Sequence, residues 1–461
     1  MKLKSYGILA SISLLLFATA CAKNDSGNGN GNANAGAPAS SSAAESASAP
    51  ASGEKVEITV MRAGITFTQT EFKKYFEEPI AKKFPNISVK WVDFPEDVEL
   101  EPLITQGSVP DIIIASTAAA TSTYKDLDLP EDLTELIKTH DFDLNRLKPV
   151  VRDAIQTYSG EGQFSVLPLS INLPILYYNK DIFDKFGVPY PSDEPATWDE
   201  IIDLSKQLTK DDGGVHYTGI DFAGTTDISS QLDATILDPQ TAKPDVTNDK
   251  WVKLFNVWKE LYDIPGYVDA EKRYEYANDD DIFFVDKTLA ILPHNVAQVV
   301  PPLQELYDKN GSVDLNWDIA PYPAFEEAKG TNKVVNVHSM LLTKSSKHKD
   351  EAFDVMAYIL SDEVQGIMAR NGRVPAIVND EIQKEFGADV PVLQGKKVEN
   401  LFKTEPRKVV RPHKFESKVR KLLDTAREDI ALNGKDVNSA LRDAQAAIEK
   451  KVQELQNTSS K

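Results

Sequence analysis

Polar and aromatic side chains lie at or just beyond the ends of several predicted strands, where open α/β sheets bind their ligands. Carboxylate, amide and guanidinium groups are planar and form paired hydrogen bonds, which suits neighbouring hydroxyl groups on a solute. Aromatic rings instead pack against apolar C–H faces, and Phe67, Tyr124 and Phe222 are the candidates for that role. These strand ends are therefore the candidate places for a ligand-binding site. The candidate ligand-binding residues are Arg62, Phe67, Ser116, Tyr124, Asn172, Asp221, Phe222, His294, Asn295, His338 and Arg373.

Most of these side chains also have a structural interpretation. An aromatic residue in a loop after a strand is more often buried by packing than exposed to a ligand. Structural ion pairs or turns within one domain are the alternative for Arg62, Asn172 and Arg373. A lone histidine such as His294 or His338 is more often a polar residue whose hydrogen bonds are made by the protein. Both interpretations stay open from the sequence.

Motifs for catalysis are absent from the sequence. It contains no G-x-S-x-G, H-E-x-x-H or G-x-x-x-x-G-K-[ST] motif, and its six histidines are scattered singly, which argues against a zinc site. A secreted glycan-active enzyme would need two carboxylates about 5–10 Å apart, which Asp93, Glu96 and Asp97, or residues 279–281, could nominally supply. With 71 acidic residues such clusters arise by chance. We therefore expect no catalytic residue, no metal and no cofactor.

Chain length and charge limit the organisation and the partners. Residues 54–456 are too many for one hydrophobic core and predict two domains. The formal net charge is −20, which disfavours nucleic acid and anionic lipid as partners.

The N-terminus has the pattern of an export signal. Lys2 and Lys4 precede a short apolar run within residues 1–20, and small residues end it. Cys21 follows and is the only cysteine, so no intramolecular disulfide can form. Its position resembles that of the lipidated cysteine in bacterial lipoproteins. Residues 21–53 are therefore expected to comprise the lipidated cysteine and a flexible linker, made almost wholly of Ala, Gly, Ser, Asn and Pro.

Hydrophobic periodicity predicts an α/β fold. Residues 56–62 and 87–94 alternate as strands on either side of a helical pattern, which gives a β-α-β opening. The apolar run at 110–115 suits a fully buried parallel strand. Thr197 and Glu200 have the spacing of a capping box before another helix.

Residues 163–210 form the most informative stretch, QFSVLPLSINLPILYYNKDIFDKFGVPYPSDEPATWDEIIDLSKQLTK. Pro168 and Pro174 interrupt an apolar run and confine it to short strands, as expected where a chain crosses between lobes. This stretch resembles the lobe-crossing segment of the family 1 extracellular solute-binding proteins of ABC importers. The resemblance covers nearly all of residues 54–456, through the segments FFVDKTLAILPHN, WDIAPYP, NGRVPA and LNGKDVNSALRDAQAAIEKKVQEL.

The resemblance implies a fold and a domain division. The expected fold is the two-lobed periplasmic-binding-protein-like fold, also called a Venus flytrap, with discontinuous lobes joined by a hinge. Lobe one would comprise residues 54–165 and 323–375. Lobe two would comprise residues 170–318 and 376–456.

The resemblance also implies a function. The chain would be a monomeric receptor, lipid-anchored at the outer face of the cytoplasmic membrane, in a Gram-positive bacterium. It would capture a mono- or oligosaccharide between its lobes and deliver it to the permease subunits of an ABC transporter, which an ATPase drives. The alternatives are a secreted glycan-active enzyme and a glycan-binding adhesin on the same cell surface.

Overall fold

Two five-stranded sheets organise the residues that the computed structural model describes. Those residues are 55–93, 102, 104, 107–160, 162–221, 224–276 and 280–459. All of them belong to one compact unit, residues 52–461. The predicted signal, Cys21, the predicted linker and Phe222 lie outside the described residues.

The strands are short and follow the predicted order at the start of the chain. In chain order they are β1 (Val56–Arg62), β2 (Ile87–Trp91), β3 (Ile112–Ser116), β4 (Leu167–Ile171), β5 (Pro174–Asn179), β6 (Lys210–Asp212), β7 (Val215–Ile220), β8 (Leu289–Asn295), β9 (Trp317–Ala320), β10 (Thr331–Val334), β11 (Val337–Leu342) and β12 (Glu405–Arg407).

The helices flank both sheets. They are α1 (Gln69–Phe72), α2 (Glu78–Lys83), α3 (Thr117–Thr121), α4 (Thr123–Asp126), α5 (Thr134–Thr139), α6 (Pro149–Ser159), α7 (Lys180–Phe186), α8 (Trp198–Leu208), α9 (Asp249–Tyr262), α10 (Asp280–Phe284), α11 (Val296–Asn310), α12 (Lys349–Ile359), α13 (Asp362–Arg370), α14 (Asp380–Lys384), α15 (Glu416–Val419), α16 (Leu422–Asn433) and α17 (Val437–Ser459). A π-helical turn, Lys73–Glu77, joins α1 to α2, and short 3-10 helices span Leu144–Arg146, Ser229–Leu232, Glu326–Ala328, Pro391–Leu393 and Val398–Phe402. Among the described helices, none is long and apolar enough to cross a bilayer.

Each sheet mixes parallel and antiparallel neighbours. The first has the order β2-β1-β3-β11-β4, with β1 parallel to β2 and β3, and with β11 antiparallel to β3 and β4. The second has the order β6-β7-β8-β5-β9, in which β7 is parallel to β8, and β5 is antiparallel to β8 and β9. β10 and β12 form a separate parallel pair. Sheets flanked by helices confirm the predicted α/β class.

Local sequence signals explain where two helices begin. Thr68 and Thr197 each precede a helix, and each hydroxyl accepts a hydrogen bond at 3.2 Å from the backbone N–H three residues on, at Glu71 or Glu200. The carboxylate of that glutamate accepts in return from the threonine N–H. Both sites are capping boxes, in which two backbone donors without helical partners are satisfied together. The capping box predicted at Thr197 is confirmed.

The chain passes between the sheets at three places. β4 belongs to the first sheet and β5 to the second, so the first passage is at residues 172–173. The second is at residues 335–336, between β10 and β11. β10 lies with the second sheet because the Val334 N–H donates to Ser230 Oγ at 3.0 Å. The third is at residues 389–391, where the Asp389 N–H donates to the Arg370 carbonyl and helix Pro391–Leu393 then packs on α11.

These passages differ from the lobe limits expected from the sequence. Residues 323–334, expected in lobe one, contact the second sheet's elements, because the N–H of Trp198 donates to the Ala324 carbonyl at 3.0 Å. Residues 376–389, expected in lobe two, contact the first sheet's elements, because the Lys148 N–H donates to the Ala376 carbonyl at 2.9 Å. The motifs WDIAPYP and NGRVPA mark strand or helix ends, but after each one the chain continues along the same lobe. We therefore propose lobe limits at the three passages.

Candidate functional site

A cavity of about 330 Å³ lies between the elements of the two sheets. Its volume falls in the range of about 300–1,000 Å³ that is usual for small-molecule sites. Its wall is mainly hydroxyl, amide and charged groups. The lining residues are Thr117, Ala118, Ala154, Tyr158, Asn172, Pro174, Thr226, Asp227, Ser229, Ser230, Ile236, Asn295, Lys333, Val334, Val335, Asn336, Val337, Glu416 and Arg420.

The first sheet presents the segment after β3 to this cavity. Ser116 caps α3 by accepting a hydrogen bond at 3.2 Å from the N–H of Ala119. The hydroxyl of Thr117 is hydrogen-bonded to Ser339 Oγ on the neighbouring strand β11. These bonds turn the chain sharply at the end of a buried strand and fix Thr117 and Ala118 in the cavity wall.

An ion pair from the second lobe forms another part of the wall. Lys333 Nζ lies 3.0 Å from Asp227 Oδ2, and the two side chains are 15% and 34% exposed. Burial alone would lower the pKa of Lys333, but the Asp227 carboxylate and the neighbouring Tyr322 raise it above its usual value. Lys333 is therefore a fixed cation beside a fixed anion at the cavity.

Glu416, at the start of α15, and Arg420, directly after that helix, complete the cavity wall. Burial raises the pKa of Glu416 above its usual range, although the N–H groups of Ile236 and Leu237, each 3.4 Å from the carboxylate, oppose the shift. Arg420 is exposed at the mouth of the cavity. The cavity therefore offers both acceptors and donors, as a polyhydroxylated solute requires.

Asn172 lies at the first passage between the sheets and also lines the cavity. Its Oδ1 accepts a hydrogen bond at 3.0 Å from the N–H of Ala297, in the first turn of α11. Its Nδ2 donates to Gln298 Oε1 at 3.0 Å, and its backbone N–H donates to the Asn336 carbonyl at 2.8 Å. One buried amide thus ties both of the first two passages to the start of α11.

His338 continues this polar set into the first lobe. Arg373 Nη1 lies 3.2 Å from His338 Nδ1, and a guanidinium can only donate, so Nδ1 accepts and Nε2 carries the hydrogen of the neutral ring. Burial, helped by the Arg373 charge, lowers the pKa of His338 to about 3. The Asn172 amide nitrogen is 3.4 Å from Nε2, and both atoms are then donors, so these two side chains touch without a hydrogen bond.

Arg373 ends the set in a buried bidentate ion pair. Its Nε lies 2.6 Å from Glu71 Oε1 and its Nη2 lies 2.9 Å from Glu71 Oε2, while Nη2 also donates to the Thr66 carbonyl at 2.7 Å. The Arg373 and Glu71 side chains are 1% and 8% exposed. We call Glu71, Arg373, His338 and Asn172 the buried polar chain.

Comparison with known proteins identifies the family. Residues 68–366 match the family described as bacterial extracellular solute-binding protein. The chain belongs to this family. Its members bind solutes, so this solute-binding protein is not an enzyme.

Two curated relatives are an arabinooligosaccharide-binding protein of Halalkalibacterium halodurans and a mannitol-binding protein of Pseudomonas aeruginosa. They are 24% and 27% identical to this solute-binding protein over 46% and 48% of its chain. The chain spans about half the length of these curated relatives, 48% of each.

Two solved structures show the same fold. One is an ABC substrate-binding protein from Listeria monocytogenes in complex with cycloalternan, with a TM-score of 0.66, 20% identity, and coverage of 87% of this chain and 99% of that one. The other is the sugar-binding protein MalE from Xanthomonas citri, with a TM-score of 0.64, 16% identity, and coverage of 88% and 99%. They confirm the predicted two-lobed periplasmic-binding-protein-like fold.

The structure brings two of the candidate residues from the sequence into the cavity wall. Asn172 and Asn295 line it directly. Ser116 precedes the wall residue Thr117 and caps α3. His294 lies beside the wall, where its Nδ1 accepts from the Asn295 N–H at 2.8 Å, and burial lowers its pKa to about 4.

Other candidates contact the protein instead of this cavity. Phe67 is 2% exposed and stacks on Trp91 with ring centroids 6.0 Å apart. Tyr124 is 9% exposed. Asp221 is fully buried and accepts from the Tyr267 hydroxyl at 3.2 Å.

The remaining candidates divide between a recess and the buried chain. Arg62, whose Nη1 donates to the Ile65 carbonyl at 2.9 Å, lines a separate recess of about 250 Å³, and Phe67 also contributes to the lining of that recess. His338 and Arg373 belong to the buried polar chain behind the cavity, and Phe222 lies outside the described residues.

Sequence reasoning missed the charged half of the wall. Asp227, Lys333, Glu416 and Arg420 lie in three segments that are far apart in the chain. Only Lys333 gave a usable signal, since it directly precedes the apolar pair Val334 and Val335 at the second passage. The rest converge through tertiary packing. Within the described part of the chain, no group of acidic, histidine or cysteine side chains is arranged to hold a metal ion.

Proposed function

We propose that this solute-binding protein captures a sugar or polyol in the cavity between its two lobes and delivers it to an ABC transporter permease. The wall of that cavity is the observation that carries the proposal. It combines the Asn172 and Asn295 amides, the Ser229 and Ser230 hydroxyls and the Asp227–Lys333 pair around about 330 Å³. Such groups exchange hydrogen bonds with ring hydroxyls in both directions.

Three chain passages between the sheets, the first two of them at the cavity, support a mechanism by hinge closure. Rigid lobes joined by a few crossing residues can rotate about those residues and enclose a solute. A permease can distinguish the loaded protein from the empty one only if the solute binds one arrangement of the lobes more tightly than the other. Asn172 stands where this rotation would be centred, because it lies in the first passage and contacts the second passage and α11.

The remaining parts of the proposal concern location and assembly. The N-terminal pattern and Cys21 support export and lipid anchoring at the outer face of the cytoplasmic membrane. We propose a monomer that meets the permease subunits, and through them an ATPase, at that surface. The relatives named for arabinooligosaccharide and mannitol support a sugar or polyol as cargo.

Thermal melting of the purified protein against a ligand panel tests the proposal. The panel contains mono- and oligosaccharides, polyols, amino acids and peptides. A ligand present at a hundred times its dissociation constant should stabilise the protein by about 2.7 kcal/mol, which raises the melting temperature by several degrees. A response confined to peptides or amino acids would overturn the sugar assignment, and no response to any compound would favour a glycan-binding adhesin that recognises larger surfaces.

A further inference from the structure

A short basic segment runs past the mouth of the cavity. Residues 408–421, here called the basic strap, contain six lysines and arginines and one acidic residue, Glu416. The whole chain, by contrast, has 71 acidic and 51 basic residues. The strap is therefore a local reversal of the protein's charge.

Few of the strap's cations contribute to the fold. Lys408 pairs with Asp153 on α6, with Nζ 3.3 Å from Oδ2. Within the described part of the chain, the strap's exposed cations that form no ion pair with a carboxylate are Arg411, Lys414, Lys418, Arg420 and Lys421. Such unpaired charges are available to a ligand.

An outer recess lies beside the strap, on the neighbouring face of α6. It has a volume of about 650 Å³, and its lining includes Asp153, Thr157, Lys408 and Arg411. Helix α6 lines the cavity with one face and the recess with the next, because successive helical residues are about 100° apart around the helix axis. Ala154 and Tyr158 line the cavity, and their neighbours Asp153 and Thr157 line the recess.

The strap also forms part of both walls. Arg420 lines the inner cavity, and Lys408 and Arg411 line the outer recess. A ligand that reached from the cavity into the recess would be elongated and would pass Arg420 and Arg411. The charged side chains of the inner wall are balanced, since Asp227 and Glu416 face Lys333 and Arg420, whereas the outer part has an excess of positive charge.

We infer that the cargo is an oligosaccharide whose outer residues carry carboxylates, as uronic acid residues do. The inference rests on the proposed function and narrows its ligand class. Arg411 provides a planar fork that matches a carboxylate. The protein as a whole repels anions, so a cationic strap at the entrance supplies the local attraction that an anionic solute needs.

Isothermal titration of the purified full-length protein with paired trisaccharides tests this inference. The pairs are trigalacturonate with galactotriose and trimannuronate with mannotriose, each measured at low and high ionic strength. In at least one pair the uronate should bind roughly tenfold more tightly or better, and added salt should reduce that preference because it screens exposed charges.

A double variant separates the strap from the general charge of the protein. Arg411→Gln with Lys414→Gln should weaken uronate binding roughly five- to twentyfold, as expected for two exposed charge contacts, and should weaken the neutral trimer by no more than about twofold. The matched control is Arg442→Gln with Lys450→Gln, which removes the same charges from exposed positions on α17. Its uronate affinity should stay within about twofold of the unaltered protein.

The outcomes distinguish the two proposals. Neutral trimers that bind as well as the uronates in both pairs would overturn the anionic class and leave the sugar-binding function standing. If no trisaccharide of either pair binds and no compound of the thermal panel raises the melting temperature, the proposed function itself is overturned. Binding to phosphatidylglycerol vesicles that the strap variant abolishes, without any uronate preference, would assign the strap to a membrane surface and overturn the inference.

Discussion

Two polar regions meet at Asn172 and use their side chains differently. In the buried polar chain, Glu71 and Arg373 are bound to each other and almost inaccessible. In the cavity wall, Asn295 does not cap the helix that follows it, and Arg420 is exposed. Both regions include polar residues at strand ends, such as His338 in the buried polar chain and Asn295 in the cavity wall. The difference teaches that polar side chains bound to each other inside the protein have a structural role. Polar side chains without such a protein partner are available to a solute.

The largest effect should follow from breaking the buried pair. Arg373→Ala leaves the Glu71 carboxylate buried without its cation, and we expect a loss of about 3–5 kcal/mol in the free energy of unfolding. Urea denaturation measures it. The control is Arg370→Ala, three residues earlier, whose guanidinium pairs with Asp389 and Glu385 at the surface and should matter far less. Equal destabilisation by both variants would remove the distinction between the two regions.

A second effect should appear as pH falls. The pKa of His294 is lowered to about 4 from an ordinary 6.5, so below pH 6.5 the unfolded chain binds a proton that the folded chain does not. Stability is therefore lost as pH falls through this window and levels off below the folded pKa, by an amount on the order of 3 kcal/mol. Urea denaturation at several pH values measures the effect. The free energy of unfolding of His294→Asn, whose amide oxygen replaces the Nδ1 acceptor, should fall less steeply with falling pH than that of the unaltered protein. An unchanged slope would contradict the assignment of a neutral, buried imidazole.

Asn172 belongs to both regions and should affect both properties. Asn172→Ala leaves the N–H of Ala297 without its acceptor, and we expect a loss of about 1–3 kcal/mol in stability together with weaker solute binding. Denaturation and calorimetric titration measure the two changes. The matched control, Asn438→Ala, removes an exposed amide outside the cavity and should alter neither. A loss of stability with full solute affinity would place Asn172 in the buried chain alone.

The smallest effect on stability should come from the cavity wall. Asn295→Ala removes an amide that does not cap α11, so the melting temperature of the empty protein should stay the same. Solute affinity should fall by about fivefold, which corresponds to the loss of one hydrogen bond worth about 1 kcal/mol. A large fall in melting temperature with normal solute affinity would show that Asn295 stabilises the fold and does not contact the solute.

The fold could be predicted further than the site could. Three predicted features depend only on residues that are close together in the sequence, and the structure contains all three. They are the strand at residues 112–116, the β-α-β opening and the capping box at Thr197. The limits proposed at 335–336 and 389–391 differ from those expected from the sequence, because chain direction after a motif depends on distant backbone partners. Proximity to a strand end found Asn172 and Asn295. It could not show that the Arg373 guanidinium is bound by Glu71, which lies 302 residues away.

A crystal structure of the protein with the tightest ligand from the panel tests the central claim most directly. The claim is that solute binds between the two sheets, against Asn295, Ser230 and the Asp227–Lys333 pair. The account predicts ligand density within hydrogen-bonding distance of these groups. Density confined to a different recess, lined by Lys74 of the first lobe and Gln304 of the second, with this cavity empty, would contradict it.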